Sequence, residues 1–283
     1  MASECGMLYL CATPIGNLGD ITARVLETLQ SADLIAAEDT RGSLKLLNHF
    51  GIKTALTSYH EYNKYDKAKT LIEKMRQGLN IALITDAGTP CISDPGETLV
   101  AMCIEEGIRV SSLPGPAACI TALTLSGLST RRFCFEAFLP PDKKQRRRIL
   151  DELKTETRTI IIYEAPHHLK ATLSELYDTL GDRRSALCRE LTKRFEDVQH
   201  ISLSEAVSYY NENEPRGEYV LVIEGRDEDD LIREQRRSWE DISIADHVAQ
   251  YEAQGMDHKA ALKQVSLDRG IPKREVYDAV HKN

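Results

Sequence analysis

Three loops rich in glycine and proline contain the residue types that hold a small ligand. They span residues 12–20 (ATPIGNLGD), 86–96 (DAGTPCISDPG) and 113–118 (LPGPAA), and each follows a segment predicted to form a strand. In an open α/β sheet, ligands bind beyond the carboxyl ends of the strands. Glycine allows the backbone to approach a ligand closely, and proline stiffens the loop. One such loop is equally compatible with a simple turn, but three on one rim predict a binding site.

A run of basic residues offers a second kind of chemistry, which is contact with a polyanion. Residues 143–148 (KKQRRR) are the densest basic segment of a chain whose net charge is −8. An acidic protein does not coat nucleic acid by long-range attraction, so a local patch is needed for such a partner. The alternative interpretation is a solvated helix face.

The elements that position these residues alternate between strand and helix, which predicts an α/β fold with a mainly parallel sheet in the N-terminal domain. Strands are predicted at residues 7–13, 34–37, 55–58, 81–85 and 109–113, with helices after Asp20 and at 43–49, 66–77, 97–106 and 117–125. Asp20 is the predicted N-cap of the first helix. The alternation restarts at FCFEAF, with a basic helix to about residue 155, a strand at TIIIY, a helix at 166–180 and strands near Ala186 and 219–223.

These elements divide into an N-terminal α/β domain at residues 1–126, a second α/β domain at 127–226 and a small helical module at 237–283. Hydrophobic residues make up 42% and charged residues 28% of the chain, and no apolar run is long enough for a membrane span. Seven scattered cysteines without paired spacing predict reduced thiols, no structural zinc and a cytoplasmic location. No export signal is expected at the N-terminus.

Several common catalytic motifs are missing from the sequence. It has neither the GxGxxG dinucleotide fingerprint nor the GxxxxGK[ST] phosphate loop, and neither GxSxG nor HExxH occurs. The sequence therefore contains no motif that would support a nicotinamide enzyme, a P-loop ATPase, a serine hydrolase or a zinc protease. A small ligand without a triphosphate, held by neutral backbone groups, fits the three loops better.

Seven segments carry a resemblance to a known family. In chain order, from residue 8 to about residue 225, they are LYLCATPIGNLGDIT, AAEDTR, TDAGTPCISDPG, LPGPAA, IIIYEAPHHL, RELTKRFED and RGEYVLVIEG. Together they resemble the ribosomal RNA small subunit methyltransferase I family of the tetrapyrrole methylase superfamily. The first loop departs from the GxGPGD of relatives that modify tetrapyrroles, which argues against a porphyrin substrate. His168 stands where relatives tend to have arginine.

The resemblance implies a two-domain tetrapyrrole-methylase-like fold and transfer of a methyl group from S-adenosylmethionine to the ribose 2′-hydroxyl of cytidine 1402 in 16S ribosomal RNA of the small subunit. It implies no metal and a homodimer. The donor is expected in the cleft between the two domains. Carried over by position, the donor-binding residues are Ile15, Gly88, Thr89, Pro90, Ile92, Ser93, Ala117, Ala118, Tyr163 and Leu191.

A ribose hydroxyl is a weak acid, so a carboxylate within hydrogen-bond reach would assist its deprotonation. The candidates are Asp39, Asp86 and Glu190. Each has an alternative: Asp39 as a helix cap, Asp86 as the closing residue of an Asx-turn, and Glu190 in an ion-pair network with Arg189 and Lys193. Asp86 could also orient the donor's amino group.

The residues expected to bind RNA phosphates are basic and lie in the AEDTR segment and the basic run. They are Arg41, Lys143, Lys144, Arg146, Arg147 and Arg148. Two other functions remain open at this point. One is a methyltransferase for a tetrapyrrole or another small metabolite, which would need an apolar cleft without a basic rim. The other is a nonenzymatic ribosome-assembly factor, which would bind RNA but not the methyl donor.

Overall fold

The computed structural model describes residues 5–239 and 241–281. Its N-terminal half is a five-stranded parallel sheet, in the order β3-β2-β4-β1-β5. The strands are β1 (Met7–Cys11), β2 (Leu34–Ala37), β3 (Leu56–Ser58), β4 (Ile81–Ile84) and β5 (Arg109–Leu113). The connecting helices are α1 (Ala23–Ser31), α2 (Thr40–His49), α3 (Lys64–Arg76), α4 (Gly96–Glu105) and α5 (Ala118–Leu125).

Helices cover both faces of this sheet, as expected of a parallel sheet whose central strands β1, β2 and β4 are apolar. On one face, Leu71 and Met75 of α3 and Leu99 of α4 pack with Leu8 of β1. On the other face, side chains of α1 and α2 pack against Ile35 of β2. Since both faces are covered, the site must lie at an edge of the sheet.

The second sheet is mixed, in the order β6-β7-β10-β8-β9, and β6–β7 is its one parallel pair of neighbouring strands among the described residues. Its strands are β6 (Phe133–Phe138), β7 (Thr159–Glu164), β8 (Arg184–Arg189), β9 (Asp197–Ser202) and β10 (Tyr219–Ile223). One face packs against α6 (Lys143–Leu153), α7 (Pro166–Leu180) and α8 (Leu203–Glu212). The other face packs against α5, whose Ala122 and Leu123 contact the β7, β8 and β10 side chains. Helix α5 therefore joins the two halves.

The C-terminal helices α9 (Glu228–Ser238), α10 (Ile244–Ala253), α11 (His258–Arg269) and α12 (Lys273–His281) follow the second sheet. The last three enclose a small core that includes Val248, Leu262 and Val276. Helix α9 connects them to the body through an ion pair between Glu234 and Arg226. Within the described ranges, no helix is long and apolar enough to cross a membrane.

The structure differs from the sequence-based expectations at several points. Thr22, and not Asp20, caps α1: its hydroxyl accepts a hydrogen bond from the N–H of Val25 at 3.3 Å, whereas Asp20 ends a short 3-10 helix, Leu18–Asp20. The elements β9, α8 and α9 were not predicted from the sequence. Strand β1 ends two residues early because Thr13 leaves the sheet to pair with Gly88.

Candidate active site

A cavity of about 250 Å³ lies between the two sheets and is lined by residues of both halves. Its walls are mostly apolar, with few polar groups, as is typical of sites for small organic ligands. The N-terminal half contributes the three loops, and the second half contributes the ends of β7, β8 and β10. The cavity therefore lies at the carboxyl edge of the parallel sheet, where the sequence predicted a site.

The three loops are fastened to one another by hydrogen bonds. The N–H of Thr13 donates to the carbonyl of Gly88 at 2.8 Å, and the N–H of Gly88 returns a bond of 3.0 Å to Thr13. The hydroxyl of Thr89 donates to the carbonyl of Pro116 at 2.9 Å. Gly88 has φ of +86°, and a Cβ there would stand 3.3 Å from Cγ2 of Ile15. Glycine is thus required both by the backbone conformation and by the space at this position.

Tyr163, near the end of β7, forms the opposite wall. Its hydroxyl accepts a hydrogen bond of 3.0 Å from the N–H of Cys119 at the start of α5. Phe135 and Phe138 contact its ring edge-on, with centroid separations of 4.8 and 5.6 Å. Burial raises the pKa of Tyr163, so the phenol remains neutral and serves as a fixed wall and acceptor.

Eight of the ten residues predicted to bind the donor line this cavity. Pro90 and Ser93 do not: Pro90 is buried within its loop, and Ser93 faces a separate groove. Cys91 has φ of +71° and Ser93 has φ of +64°, so the backbone takes the left-handed conformation at two positions of this loop. The eight lining residues are Ile15, Gly88, Thr89, Ile92, Ala117, Ala118, Tyr163 and Leu191.

Sequence reasoning missed two charged lining residues, Glu164 and Glu218, and it named a third, Lys193, only as an ion-pair partner of Glu190. All three lie within segments that carry the family resemblance. Glu164 is 5% exposed, and its carboxylate accepts hydrogen bonds from the N–H of Ala165 and the hydroxyl of Thr172. Among the described residues, no group of three or more His, Cys, Asp or Glu side chains has the arrangement of a metal site.

Glu190 lines the cavity as part of an ion-pair network. Its Oε1 accepts hydrogen bonds of 2.9 Å from Nζ of Lys193 and from the N–H of Glu218. Partial burial alone would raise the pKa of Glu190, but these bonds outweigh it and hold the pKa below its ordinary value. A carboxylate with a lowered pKa is a weaker proton acceptor. The geometry thus favours a structural role for this side chain.

Asp39 and Asp86 lie together beside the cavity without lining it. Oδ1 of Asp86 accepts a hydrogen bond of 3.0 Å from the N–H of Asp39. Asp39 caps α2, with its carboxylate oxygens accepting from the N–H groups of Arg41 at 2.9 Å and Gly42 at 3.2 Å. Asp86 borders a smaller cavity of about 150 Å³, which also includes Thr13 and Gly42. Asp86 therefore ties the start of the second loop to the N-terminus of α2, which Asp39 caps.

The predicted RNA-binding residues divide into two groups. Arg41, at the first turn of α2, is exposed, as are Lys143, Lys144, Arg147 and Arg148 on α6. Arg146 is directed inward, where its Nη2 donates to the hydroxyl of Thr172 at 2.8 Å and its Nε donates to Glu175 at 2.5 Å. The basic run therefore presents four side chains to solvent and uses the fifth inside the domain.

Residues 7–207 match the family model described as Tetrapyrrole (Corrin/Porphyrin) Methylases. A protein of Halalkalibacterium halodurans named "Ribosomal RNA small subunit methyltransferase I" is 50% identical over 276 residues, 98% of this chain and 95% of the relative. A protein of the same name from Bacillus subtilis is 46% identical over 279 residues, 99% of this chain and 95% of that relative. The chain belongs to the ribosomal RNA small subunit methyltransferase I family.

Solved structures of other methyltransferases share the fold of this family member. Diphthine synthase matches with a TM-score of 0.63 at 14% identity, over 78% of this chain and 90% of that chain. Uroporphyrin-III C-methyl transferase from Thermus thermophilus, complexed with S-adenyl homocysteine, matches with a TM-score of 0.55 at 17% identity, over 77% of this chain and 97% of that chain. These likenesses and the family model confirm the predicted α/β tetrapyrrole-methylase-like fold, and the family membership confirms that the chain is a methyltransferase.

Proposed function

We propose that the protein transfers a methyl group from S-adenosylmethionine to the ribose 2′-hydroxyl of cytidine 1402 in 16S ribosomal RNA. The observation that carries this proposal is the 50% identity, across 98% of the chain, to a relative named for methylation of small-subunit ribosomal RNA. The nucleotide and the atom follow from the family resemblance of the sequence. The exposed basic side chains of α6 support an RNA substrate over a small metabolite.

The cavity fits the proposed donor in its chemistry. The loops present neutral backbone groups around Gly88, and the lining holds three carboxylates, Glu164, Glu190 and Glu218, against one ammonium group, that of Lys193. Carboxylates favour a cationic ligand and disfavour one that carries phosphates. S-adenosylmethionine would supply an activated methyl group on a positively charged sulfur. The residues proposed to hold it are the eight that line the cavity, with Pro90 and Ser93 fixing the course of the second loop.

The main task of the chain in this reaction is positioning, because the methyl group is already activated. A fixed geometry of donor and acceptor can lower the barrier by several kcal/mol. The hydrogen bonds that join Thr13, Gly88, Thr89 and Pro116 keep the rim rigid. We assign Asp39, Asp86 and Glu190 to this positioning role, since each carboxylate is already engaged by N–H or ammonium donors.

Contact with the RNA is assigned to Arg41 and the exposed α6 residues Lys143, Lys144, Arg147 and Arg148. Their charges are free to approach phosphates, apart from surface pairs of Arg147 with Asp151 and Arg148 with Glu152. Such exposed pairs are weak and are readily exchanged for phosphate contacts. Arg146 contributes through the position of α6, because its guanidinium is bound to Thr172.

The resemblance also implies that the RNA is methylated within the small ribosomal subunit and that the protein is a homodimer, and the cysteine content predicts that it acts in the cytoplasm. A protein with net charge −8 needs a shaped RNA surface that its local basic patch can meet, and the assembled subunit provides one. Seven free cysteines suit a reducing compartment. Light scattering coupled to size exclusion tests the dimer through its mass.

The decisive experiment combines donor binding with transfer. The protein is titrated with S-adenosylmethionine in a calorimeter and is then incubated with radiolabelled donor and one of three acceptors: small subunits lacking native methylation, naked 16S RNA, or a tetrapyrrole. We expect donor binding and label in the small subunits. Label in the tetrapyrrole alone would favour a metabolite methyltransferase, and RNA binding without heat from the donor would favour an assembly factor.

Ala118→Trp provides a negative control because it fills the cavity with a large side chain. It should abolish donor binding and transfer together. Ala101→Trp is the matched control, since Ala101 is exposed on α4 and does not line the cavity. Retention of full transfer by Ala118→Trp would contradict the assignment of the cavity to the donor.

A further inference from the structure

A second concavity adjoins the cavity and is open to solvent. It measures about 450 Å³ and is lined by Glu38, Glu61, Lys64, Ser93, Asp94, Pro95 and Glu97. The two spaces meet along the second loop, because Ile92 lines the cavity and the next residue, Ser93, lines this groove. A substrate in the groove would therefore lie next to a donor in the cavity.

Glu38 lies where β2 ends, at the same carboxyl edge of the sheet as the cavity. Its Oε2 accepts a hydrogen bond of 3.3 Å from the hydroxyl of Thr85, which follows the neighbouring strand β4. Among the described residues, no other hydrogen bond reaches this carboxylate. Thr85 begins the segment that continues through Ala87 and Gly88 into the cavity wall. Glu38 is thus held on one side and faces the groove with remaining acceptor capacity.

The neighbouring carboxylates are placed differently. Asp86 accepts one bond, from the N–H of Asp39 to Oδ1, and borders the smaller cavity and not the groove. Both oxygens of Asp39 accept from backbone N–H groups of α2, and Glu190 is held by Lys193 and Glu218. Asp94 accepts from the N–H of Cys91 at 2.8 Å and of Gly96 at 2.7 Å, one with each oxygen. Glu38 differs from them because a hydroxyl can approach it from the groove without displacing a backbone donor.

The charges that face Glu38 come from several elements. Burial raises the pKa of Glu38 above its ordinary value, and Asp86 and Asp94 raise it further, while Thr85 and His60 act in the opposite direction. The remaining charged groups along the groove are Glu61, Lys64 and Glu97, with Nζ of Lys64 at 2.7 Å from Glu61. A raised pKa makes the ionised carboxylate a stronger base than an ordinary glutamate.

We propose that the Glu38 carboxylate is the general base of the methyl transfer, accepting the proton of the ribose hydroxyl that enters from the groove. This inference rests on the proposed function. As the oxygen of the hydroxyl forms its bond to the methyl carbon, its proton passes to Glu38 and the carbon–sulfur electron pair remains on sulfur. The products are the 2′-O-methyl ribose, the neutral thioether and protonated Glu38, which then releases its proton to solvent.

The test compares Glu38→Gln with the unaltered protein in single-turnover methyl transfer to unmethylated small subunits. Glutamine retains an acceptor for Thr85 but cannot take up a proton. The maximal transfer rate should fall by about 100-fold or more, the usual contribution of a general base. The affinities for donor and subunit should stay within about threefold, since Glu38 does not line the cavity. The matched control Glu105→Gln, on the exposed face of α4, should retain the full rate.

A pH profile separates proton transfer from a structural role. The rate of the unaltered protein should rise with pH through an apparent pKa above that of an ordinary glutamate, and the residual rate of Glu38→Gln should lack this step. Glu38→Asp should recover part of the rate. The inference is overturned if Glu38→Gln transfers within threefold of the unaltered protein, if it loses donor binding, or if its loss lies in subunit affinity alone. If the unaltered protein itself transfers no methyl group to RNA, the proposed function fails instead.

Discussion

Gly16 and Lys193 are in direct contact where the N-terminal half meets the half that contains the second sheet. A Cβ added to Gly16 would stand 2.3 Å from Cγ of Lys193 and 3.0 Å from the hydroxyl oxygen of Thr192. The first Gly/Pro loop thereby packs on the turn that follows β8, in which Glu190 and Thr192 have φ of +50° and +65°. Lys193 and Glu190 of this turn are both bound to Glu218, and these bonds restrain the turn from moving away from the first loop. The width of the cavity depends on this contact.

Gly16→Ala should therefore weaken donor binding. The new methyl group must push the two loops apart, and we expect a loss of about tenfold in affinity, which corresponds to about 1.4 kcal/mol. Calorimetric titration with S-adenosylmethionine measures it. Gly19→Ala, in the same loop, is the matched control, because the nearest atom to a Cβ there is Oδ1 of Asn17 at 3.2 Å. Equal effects of the two substitutions would contradict the role of the Gly16 contact.

Arg146→Ala should destabilise the second domain. It removes the donor to the buried hydroxyl of Thr172, which in turn donates to Glu164 in the cavity wall. The loss of a hydrogen bond from a charged group at a partly buried site costs about 1–3 kcal/mol of unfolding free energy. Arg147→Ala should change it by less than about 0.5 kcal/mol, because that side chain is 73% exposed. Urea unfolding compares the two, and an equal loss from both would refute the inward role of Arg146.

Removal of the exposed lysines of α6 should weaken binding to the small subunit. We expect Lys143→Ala with Lys144→Ala to raise the dissociation constant and to reduce the slope of log affinity against log salt by about 1 for each phosphate that is no longer neutralised. Alanine preserves the helix. Binding is measured at several salt concentrations by filter retention. The control is the double variant Arg24→Ala with Lys53→Ala, which removes two exposed charges outside α6. An identical change of slope in this control would show that α6 is not part of the RNA interface.

Glu156 should make the stability depend on pH in the acidic range. Hydrogen bonds from Arg158 hold the pKa of Glu156 at about 2, against an ordinary value of 4.5. Because the folded pKa is lower than the unfolded one, the stabilisation is fully present above pH 4.5 and is lost as the pH falls toward 2. Arg158 is 42% exposed, so we expect only about 1 kcal/mol from this pair at neutral pH.

Glu156→Gln should thus be less stable than the unaltered protein at pH 7, with a difference that shrinks as the pH drops below 4.5. Urea unfolding at a series of pH values measures this difference. Glu152→Gln is the control, since Glu152 is 69% exposed and pairs with Arg148 at 3.6 Å. A difference that stays constant between pH 7 and pH 3 would show that the Glu156 carboxylate does not titrate as described.

The sequence predicted most of the N-terminal sheet because parallel strands that are buried on both faces are continuous apolar runs. β2, LIAA, was placed at its observed bounds for this reason. The predictions failed for elements whose sequences are polar and whose positions depend on contacts with distant parts of the chain. β9, DVQHIS, is only partly buried and pairs with β8 as an edge strand, so its sequence has no apolar run. α9 has no buried side chain among its described ones, and its sequence resembles a charged linker.

The site was predicted in part for a similar physical reason. Loops rich in glycine and proline are recognisable in the sequence, and for this reason Gly88 and Ala117 were correctly expected at the cavity. The direction of a side chain could not be predicted from the sequence. Arg146 is oriented inward because it binds Thr172, which is 26 residues away in the chain. Glu38 was overlooked beside Asp39, because a strand end does not reveal which of two adjacent carboxyls faces a groove.

Nucleotide-level mapping of the methyl product tests the central claim most directly. Small subunits lacking native methylation are incubated with the protein and labelled S-adenosylmethionine, and the RNA is digested with nucleases and analysed by mass spectrometry. We predict one labelled product, a 2′-O-methylcytidine at position 1402, that resists alkaline cleavage on its 3′ side. Label on a base, label at another nucleotide, or no label in RNA despite measured donor binding would contradict the proposed function.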